Sequence, residues 1–397
     1  MNQINHLNPL PISLYIHFPW CVRKCPYCDF NSHALKTGGN NSSSNNSSSI
    51  PEKAYIDSLI HDFTQNLEYF QGRSIHSIFM GGGTPSLFSG SALGYLLEKI
   101  QKLVPMRPGA EITLEANPGR IEHDSFKAYA QAGINRISIG AQSFNPQHLK
   151  TLGRIHDTQH IYKAVQELQN AGISNFNLDL MFGLPQQNLE EALDDLEQAI
   201  ALGPHHISWY QLTLEPNTPF YYKPPKHLPD EDSLMELQTA GQELLKNNGF
   251  LQYEVSAYAK DSPQFQSQHN LNYWQFGDYL GIGAGAHSKI TLFNDINPKI
   301  IRFSKEKFPN QYMAAAEKNL NYPVDDLVFE FLMNSLRLKS GLLIQDFCNR
   351  TFETKDDLFR RIQPFIKKEL LEFKPEKQSI QATDLGFIFL DSILSQL

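Results

Sequence analysis

Cys21-Val22-Arg23-Lys24-Cys25-Pro26-Tyr27-Cys28 directly follows an apolar stretch, Leu14–Phe18, that reads as a β-strand. The spacing is C-x3-C-x2-C, and Cys348 is the one other cysteine among the 4 of the chain. Thiolates are soft ligands that suit zinc or an iron–sulfur cluster. A closed zinc site wants four protein ligands, and a complete [4Fe–4S] cage takes four cysteines. Three local thiolates therefore point to a cluster with one iron left open to an outside ligand. A zinc site completed by a distant histidine, or three unrelated thiols, are the alternatives that spacing alone leaves open. Arg23 and Lys24 are cations beside the thiols, where they lower thiol pKa and favour ligation; plain solvation is their other reading. Pro26 and Tyr27 stiffen the turn and place an aromatic edge beside the cluster.

Outward from this run, the 397 residues suffice for one large domain and a smaller one. The hydrophobic fraction of 41% and charged fraction of 19% belong to a globular chain with a real core. A net charge of −8 argues against nucleic acid as a partner, which normally demands a basic face. Clustered cysteines without a disulfide framework fit a reducing cytoplasm. No secretory leader or membrane-spanning apolar run is legible, so the chain is expected to be cytoplasmic, with peripheral membrane contact left open.

Thr37–Ser49 holds only Thr, Gly, Asn and Ser, and reads as a flexible surface loop. Beyond it an alternation repeats. Strands are expected at Leu14–Phe18, Ser77–Met80, Glu111–Ala116, Arg136–Ala141, Asn175–Phe182 and His206–Leu214. Helices are expected near Lys53–Phe70, Ala92–Leu103, His123–Ala132, Thr158–Ala171 and Leu189–Leu202. Asn188 and Glu191 form a capping-box pattern, Leu189, Leu193, Leu196 and Ile200 share a face, and Gly203-Pro204 stops the helix. Six βα units predict an α/β fold with a partial (βα)6 barrel, short of eightfold closure. An acidic helix, Asp230–Asn248, a strand Tyr253–Ala259, a loop carrying His269-Asn270-Leu271-Asn272-Tyr273-Trp274 and a glycine-rich 277–285 follow. The expected division is 1–36 for the first strand and cysteine loop, 37–50 for the polar loop and 51–260 for the remaining barrel. A connection spans 261–308, and a small, mainly helical C-terminal domain spans 309–397.

In such barrels chemistry sits at the C-terminal ends of strands. Gly81-Gly82-Gly83-Thr84-Pro85 lies at such an end, and its glycines let backbone approach a ligand and offer N–H and C=O groups to a polar head group. It lacks the spacing of a dinucleotide fingerprint and the lysine of a P-loop. Glu115, Gln142 and Asp179 lie at or near the ends of successive strands, with Arg154 on the next segment. Each singly reads as a structural hydrogen bond; together they read as a polar ring around one ligand.

The C-x3-C-x2-C run with an aromatic before its last cysteine resembles the radical S-adenosylmethionine (SAM) superfamily. From Tyr15 onward the chain looks like the HemW haem-chaperone family, kin of oxygen-independent coproporphyrinogen III oxidase. The matching residues are Tyr15-Ile16-His17-Phe18-Pro19-Trp20, the cysteine run with Asp29-Phe30-Asn31-Ser32-His33, Gly81-Gly82-Gly83-Thr84-Pro85, and the HNxxYW run His269–Trp274. The resemblance implies that Cys21, Cys25 and Cys28 bind a [4Fe–4S] cluster and that Tyr15, Tyr27, Gly82, Gly83, Thr84 and Glu115 line the SAM site. In the oxidase, positions matching Gln142, Arg154 and Asp179 bind a second SAM. It further implies haem at His269, acceptor haemoproteins including membrane respiratory ones, and a homodimer. A histidine in such a run, read from residues alone, is more often a hydrogen-bonded loop residue than a ligand; the resemblance makes it the haem ligand, with Tyr273 and Trp274 as flat surface for a porphyrin. Two departures separate the chain from the oxidase. Phe30 stands where the oxidase has a fourth cysteine, and the oxidase's longer N-terminal extension has no counterpart before Leu14. The implied function is haem transfer, with radical decarboxylation of coproporphyrinogen III as the enzymatic alternative, expected absent here.

Overall fold

The computed structural model describes residues 10–35, 50–119, 124–261, 263–293 and 298–397. The expected polar loop, Thr37–Ser49, lies outside them. All six expected parallel strands are present: β1 (Ile12–Phe18), β2 (Ile75–Gly82), β3 (Met106–Ala116), β4 (Arg136–Gln142), β5 (Phe176–Phe182) and β6 (His206–Gln211). They run side by side in chain order, every neighbouring pair parallel. Between them lie α1 (Glu52–Gln65), α2 (Gly90–Leu103), α3 (Phe126–Gln131), α4 (Thr158–Asn170) and α5 (Leu189–Ala201). The expected first residue of α3, His123, falls outside the described residues. The capping box at α5 forms as read: Glu191 N–H donates to Asn188 Oδ1 at 2.9 Å, and Asn188 N–H to Glu191 Oε2 at 3.0 Å.

The sheet is open and larger than the sequence foretold. The acidic segment forms α6 (Glu231–Asn247), and the single strand expected at Tyr253–Ala259 is a hairpin, β7 (Phe250–Glu254) and β8 (Ala257–Lys260), whose second strand covers the edge of β6. The HNxxYW run is not a loop but a short helix, α7 (Gln268–Trp274), capped by Ser267. The glycine-rich stretch contains a seventh parallel strand, β9 (Asp278–Ile282), on the far side of β1. Antiparallel β10 (His287–Leu292), β11 (Lys299–Ser304) and β12 (Leu320–Tyr322) extend that side and bring the sheet to twelve strands among the described residues. The glycines conceal a strand for a steric reason: a Cβ on Gly281 would lie 2.1 Å from the carbonyl oxygen of His287. Antiparallel strands flank the parallel strands on both sides, so neither edge of the parallel part is left as a bare template.

Strand residues alternate in kind. Ile12, Leu14, Ile16 and Phe18 of β1, Ile78 and Met80 of β2, Leu178 and Leu180 of β5, and Ile207 and Trp209 of β6 pack into one buried apolar cluster with the helices. Many of the intervening positions are polar and bond to one another. Ser13 Oγ meets Ser77 Oγ at 2.8 Å, Asn177 Nδ2 donates to Ser138 Oγ at 2.7 Å, and His206 Nδ1 lies 2.6 Å from Asn177 Oδ1. Parallel strands buried on both faces are normally apolar throughout. A polar inner face instead prepares a ligand site.

A second core begins beyond the large sheet. It is built by α8 (Leu327–Ser335), α9 (Ile344–Thr351) and α10 (Lys355–Lys367) around Phe331, Leu332, Phe347, Leu358 and Ile362, with a three-stranded sheet of Leu342–Leu343, Ser379–Ala382 and Leu371–Lys374. Phe276 and Ile300 of the large sheet's flank join this core, and Phe276 meets Phe331 edge-on at 5.4 Å. Cys348 packs against it from α9, far in the fold from the other three cysteines.

Candidate functional site

The cysteine loop leaves the C-terminal end of β1, and a turn closes with Cys28 N–H on the carbonyl of Cys25 at 3.2 Å. Each thiol meets a donor from a different part of the fold. Thr84 Oγ1 donates to Cys21 Sγ at 3.7 Å, Arg154 Nη1 to Cys25 Sγ at 3.8 Å, and Ser32 Oγ lies 3.9 Å from Cys28 Sγ. Asn117 joins two of these donors, giving a hydrogen bond to Thr84 Oγ1 at 2.9 Å and accepting one from Arg154 Nη2 at 2.5 Å. The relay Cys21–Thr84–Asn117–Arg154–Cys25 thus crosses the ends of β2, β3 and β4. Donors to sulfur stabilise negative charge on it, which suits thiolate ligands.

Burial acts the other way. It pushes the Cys21 and Cys28 thiols up, outweighing the hydroxyl donors at both and the charge of Lys24 at Cys28. The expected cationic activation by Arg23 and Lys24 does not prevail. The Lys24 ammonium bonds the Phe30 carbonyl at 2.8 Å, and the cation that touches a thiol is the distant Arg154. Among the described residues no three His, Cys, Asp or Glu side chains converge as on a single ion.

A cavity of about 220 Å³ lies over the three cysteines. Tyr27, Gly82, Gly83, Thr84, Glu115, Gln142, Arg154 and Asp179 all line it, so eleven expected residues meet in one place, counting Cys21, Cys25 and Cys28. Asn117, Ser138 and Tyr210 also line it and were not foreseen. Their signal was present: Ser138 and Tyr210 alternate with Ile137, Ile139, Ile207 and Trp209, and Asn117 continues the alternation of β3 one residue past its end.

The glycine run works by close approach, not by offering free donors. Gly82 N–H donates to Glu115 Oε2 at 3.1 Å, Gly83 N–H to the Phe18 carbonyl and Thr84 N–H to the Trp20 carbonyl, each of the latter at 2.7 Å. The amides expected to meet a head group are therefore already taken. Gly82 has φ +111°, and a Cβ there would sit 2.3 Å from the His17 ring; one on Gly83 would sit 2.4 Å from the Trp20 carbonyl. Only glycine lets β2 pass this close beneath the cysteine loop.

Glu115 is pushed up to about 7, mainly by burial and then by the charge of Asp179. Asp179 is itself raised by burial, although Asn177 and Ser138 donate to it at 2.7 and 3.0 Å. Two carboxylates thus share one wall, primed for a cationic or hydroxylated guest. Gln142 adopts φ +70° at a break in the β4–β5 register and accepts from Tyr210 Oη at 2.8 Å.

A second cavity of about 880 Å³ adjoins the first, and Gly82, Glu115, Phe30 and Ser32 border both. Tyr15 faces this larger space, not the smaller one, with its hydroxyl 3.0 Å from His17 Nδ1. Tyr273 and Trp274 of the HNxxYW run also line it. His269 lines neither cavity. It is 1% exposed, Nδ1 lies 3.0 Å from Ser77 Oγ, and Nε2 lies 3.0 Å from Tyr273 Oη. Burial pushes it down to about 3, so it is a neutral imidazole.

The profile of the radical SAM superfamily matches residues 15–199, and that of the HemN C-terminal domain matches 322–389. The chain is 50% identical over 392 residues to the heme chaperone HemW of Haemophilus influenzae, covering 97% of each. It is 47% identical to that of Escherichia coli, again over 97% of each, and 30% identical to that of Bacillus subtilis over 91% of each. Its fold resembles that of coproporphyrinogen III oxidase HemN from Escherichia coli, with TM-score 0.78, 21% identity, and 99% and 91% of the two chains covered. With the partial barrel, the three-cysteine loop and near-complete alignment to these relatives in hand, the chain belongs to the HemW family of radical SAM proteins.

Proposed function

We propose that this protein is a haem chaperone: it binds haem, carries a SAM-ligated [4Fe–4S] cluster, and passes the haem to acceptor haemoproteins, membrane respiratory proteins among them. The observation that carries the reading is the 50% identity, end to end, with a protein named as a heme chaperone. Geometry supports it. The three thiols, each with its own donor, fit a cluster held by three cysteines, and the carboxylates of Glu115 and Asp179 fit a guest with an ammonium and ribose hydroxyls. When bound, such a cluster supplies an open iron for SAM and an electron to it. The chain's own part is to hold Cys21 and Cys25 through Thr84, Asn117 and Arg154, and to keep Glu115 anchored on the Gly82 amide. The larger cavity falls within the usual 300–1,000 Å³ of ligand pockets, and its aromatic walls suit a flat macrocycle.

Among the described residues no helix is long and apolar enough to cross a membrane, so delivery to membrane acceptors requires peripheral contact, from a cytoplasmic protein in this reading. We place the cluster and SAM in the barrel, haem at the 261–308 connection, and assign no nucleic-acid role to a chain of net charge −8. A homodimer, as the resemblance implies, belongs to the same proposal.

Radical decarboxylation of coproporphyrinogen III is the competing activity. Phe30, 57% exposed at the border of both cavities, occupies the position of the oxidase's fourth cysteine and removes that thiol from the chemistry. Anaerobically reconstituted protein is expected to bind haem stoichiometrically and to yield no protoporphyrinogen IX from coproporphyrinogen III with SAM and reductant. Product formation at enzymatic rates, read by chromatography, refutes the chaperone reading.

A further inference from the structure

Behind the cavity over the cysteines, buried polar side chains link β5, β6 and β7 to the cap of α7. Ser267, Tyr253, His206 and Asn177 are each at most 7% exposed, and His206 and Tyr253 line neither cavity described above. The bonds among them fix where each proton points. Asn177 Nδ2 lies 2.7 Å from both Asp179 Oδ1 and Ser138 Oγ, so a carboxylate at Asp179, able only to accept, sets the amide's orientation. Asn177 Oδ1 is then the acceptor that faces His206 Nδ1 at 2.6 Å, and His206 carries its proton on Nδ1. Burial, then the charge of Arg136, push His206 well below the ordinary imidazole range, so the ring is neutral and its Nε2 is bare. That nitrogen accepts from Tyr253 Oη at 2.8 Å, and Tyr253 Oη accepts from the Ser267 amide at 3.2 Å.

Every donor in the row Ser267–Tyr253–His206–Asn177 therefore points toward Asp179. Hydrogen bonds aligned head to tail polarise one another, and the positive end of this row rests on a carboxylate. Asn177 also donates to Ser138 Oγ, whose own proton goes to Asp179 Oδ2 at 3.0 Å. Both Asp179 oxygens thus receive a donor. Glu115, on the same wall, accepts among the described residues only from the Gly82 amide. Three further groups face Asp179. Arg136 of β4 favours its charge, whereas Glu115 of β3 and Tyr210 of β6 oppose it when they are ionised. Burial raises Asp179, and its hydrogen-bond donors and Arg136 pull against that rise.

We propose that His206 and Tyr253 are positioning residues whose one-way chain keeps Asp179 ionised and leaves Glu115 as the carboxyl that takes the proton when the two hold one between them. The cavity then offers a guest a fixed anionic acceptor at Asp179 and a proton-bearing partner at Glu115. With SAM as that guest, the consequence for binding rests on the reading above.

The test begins with the cluster-free full chain, so that neither SAM nor iron enters. Nitrogen resonance shifts of the His206 ring, assigned by their loss in His206→Asn, should show the Nδ1–H tautomer at neutral pH. Infrared titration of isotope-labelled aspartate, with Asp179→Asn as the subtracted blank, gives the midpoint of Asp179. His206→Leu frees the Asn177 amide to turn away, and loss of one hydrogen bond to a carboxylate should raise that midpoint by about 1–2 pH units. Tyr253→Phe, which removes only a hydroxyl, should raise it by less. His206→Asn, whose amide N–H stands in for Nδ1–H, should keep it near wild type. An Nε2–H tautomer, or a midpoint unmoved in both His206→Leu and Tyr253→Phe, overturns the proposal. In reconstituted protein, the SAM Kd of His206→Leu should begin to rise with falling pH at a higher pH than wild type, by the same interval. In an Asp179→Asn background His206→Leu should change Kd by less than about twofold. An equal loss of affinity in that background shows His206 acting on the fold instead, and overturns the proposal. A wild-type chain that binds no SAM refutes the SAM reading, while the tautomer and the midpoint still decide the charge assignment.

Discussion

Gly82→Ala should damage the fold at the point where the barrel meets the cysteine loop. Two separable penalties act. The backbone sits at φ +111°, which a residue with a Cβ tolerates only at about 1–3 kcal/mol. The new methyl would lie 2.3 Å from His17 Cε1 and 2.5 Å from Nδ1, so the ring must move. That ring is 5% exposed and tied at both nitrogens, and overpacking of this kind costs about 1–3 kcal/mol more. A total loss of about 2–6 kcal/mol is expected. Denaturant unfolding of cluster-free protein measures it, and a cycle with His17→Ala divides it. In the His17→Ala background the clash vanishes and only the backbone penalty remains, so the two substitutions should be less than additive by the steric share. Iron and sulfide content after reconstitution gives the functional counterpart: displacement of β2 pulls Thr84 from Cys21, and cluster yield should fall. A Gly82→Ala protein as stable as wild type, with full cluster content, refutes the close-approach argument. Strict additivity with His17→Ala refutes the steric part alone.

Replacing Cys21, Cys25 or Cys28 by Ser should abolish the cluster, whereas Cys348→Ser, in the second core, should retain it; iron and sulfide analysis decides, and loss from the Cys348 variant would end the three-ligand reading. Glu115 predicts a pH dependence. Its folded pKa of about 7 lies above the ordinary carboxylate value of 4.5, so the folded chain holds this proton more tightly than the unfolded one. Its contribution is therefore fully present below about pH 4.5 and is lost as pH rises to about 7, by about 3 kcal/mol. Glu115→Gln should match wild type near pH 4.5 and exceed it by up to that amount above pH 7 in cluster-free protein; parallel stability profiles would refute the assignment.

Much of the molecule was legible along the chain. The six βα units announced themselves because their helices carry one apolar face and conventional caps, as at Asn188 and Glu191, which are local properties. The cysteine spacing is local as well, and so is the placement of motifs at strand ends, since each follows its strand directly. These features alone determined the partial barrel, a three-thiol site and the polar residues around it.

What tertiary structure decided is what depends on partners far apart in sequence. Gly281 hides a seventh parallel strand because its need for glycine comes from the backbone of His287 across the turn. The Gly82 to Thr84 amides look free in sequence, but Glu115, Phe18 and Trp20 claim them in space. His269 sits in a suggestive motif, yet the packing of α7 on β2 gives one of its nitrogens to Ser77, while the other goes to Tyr273 one turn along the same helix. His206 carries no motif; β5, β6 and β7 place it between Asn177 and Tyr253, and these decide which nitrogen holds its proton. Sequence fixes which chemical groups are available, because residue type sets their chemistry. Packing assigns each group its partner, because a hydrogen bond or a clash acts over a few ångströms in space, whatever the distance along the chain.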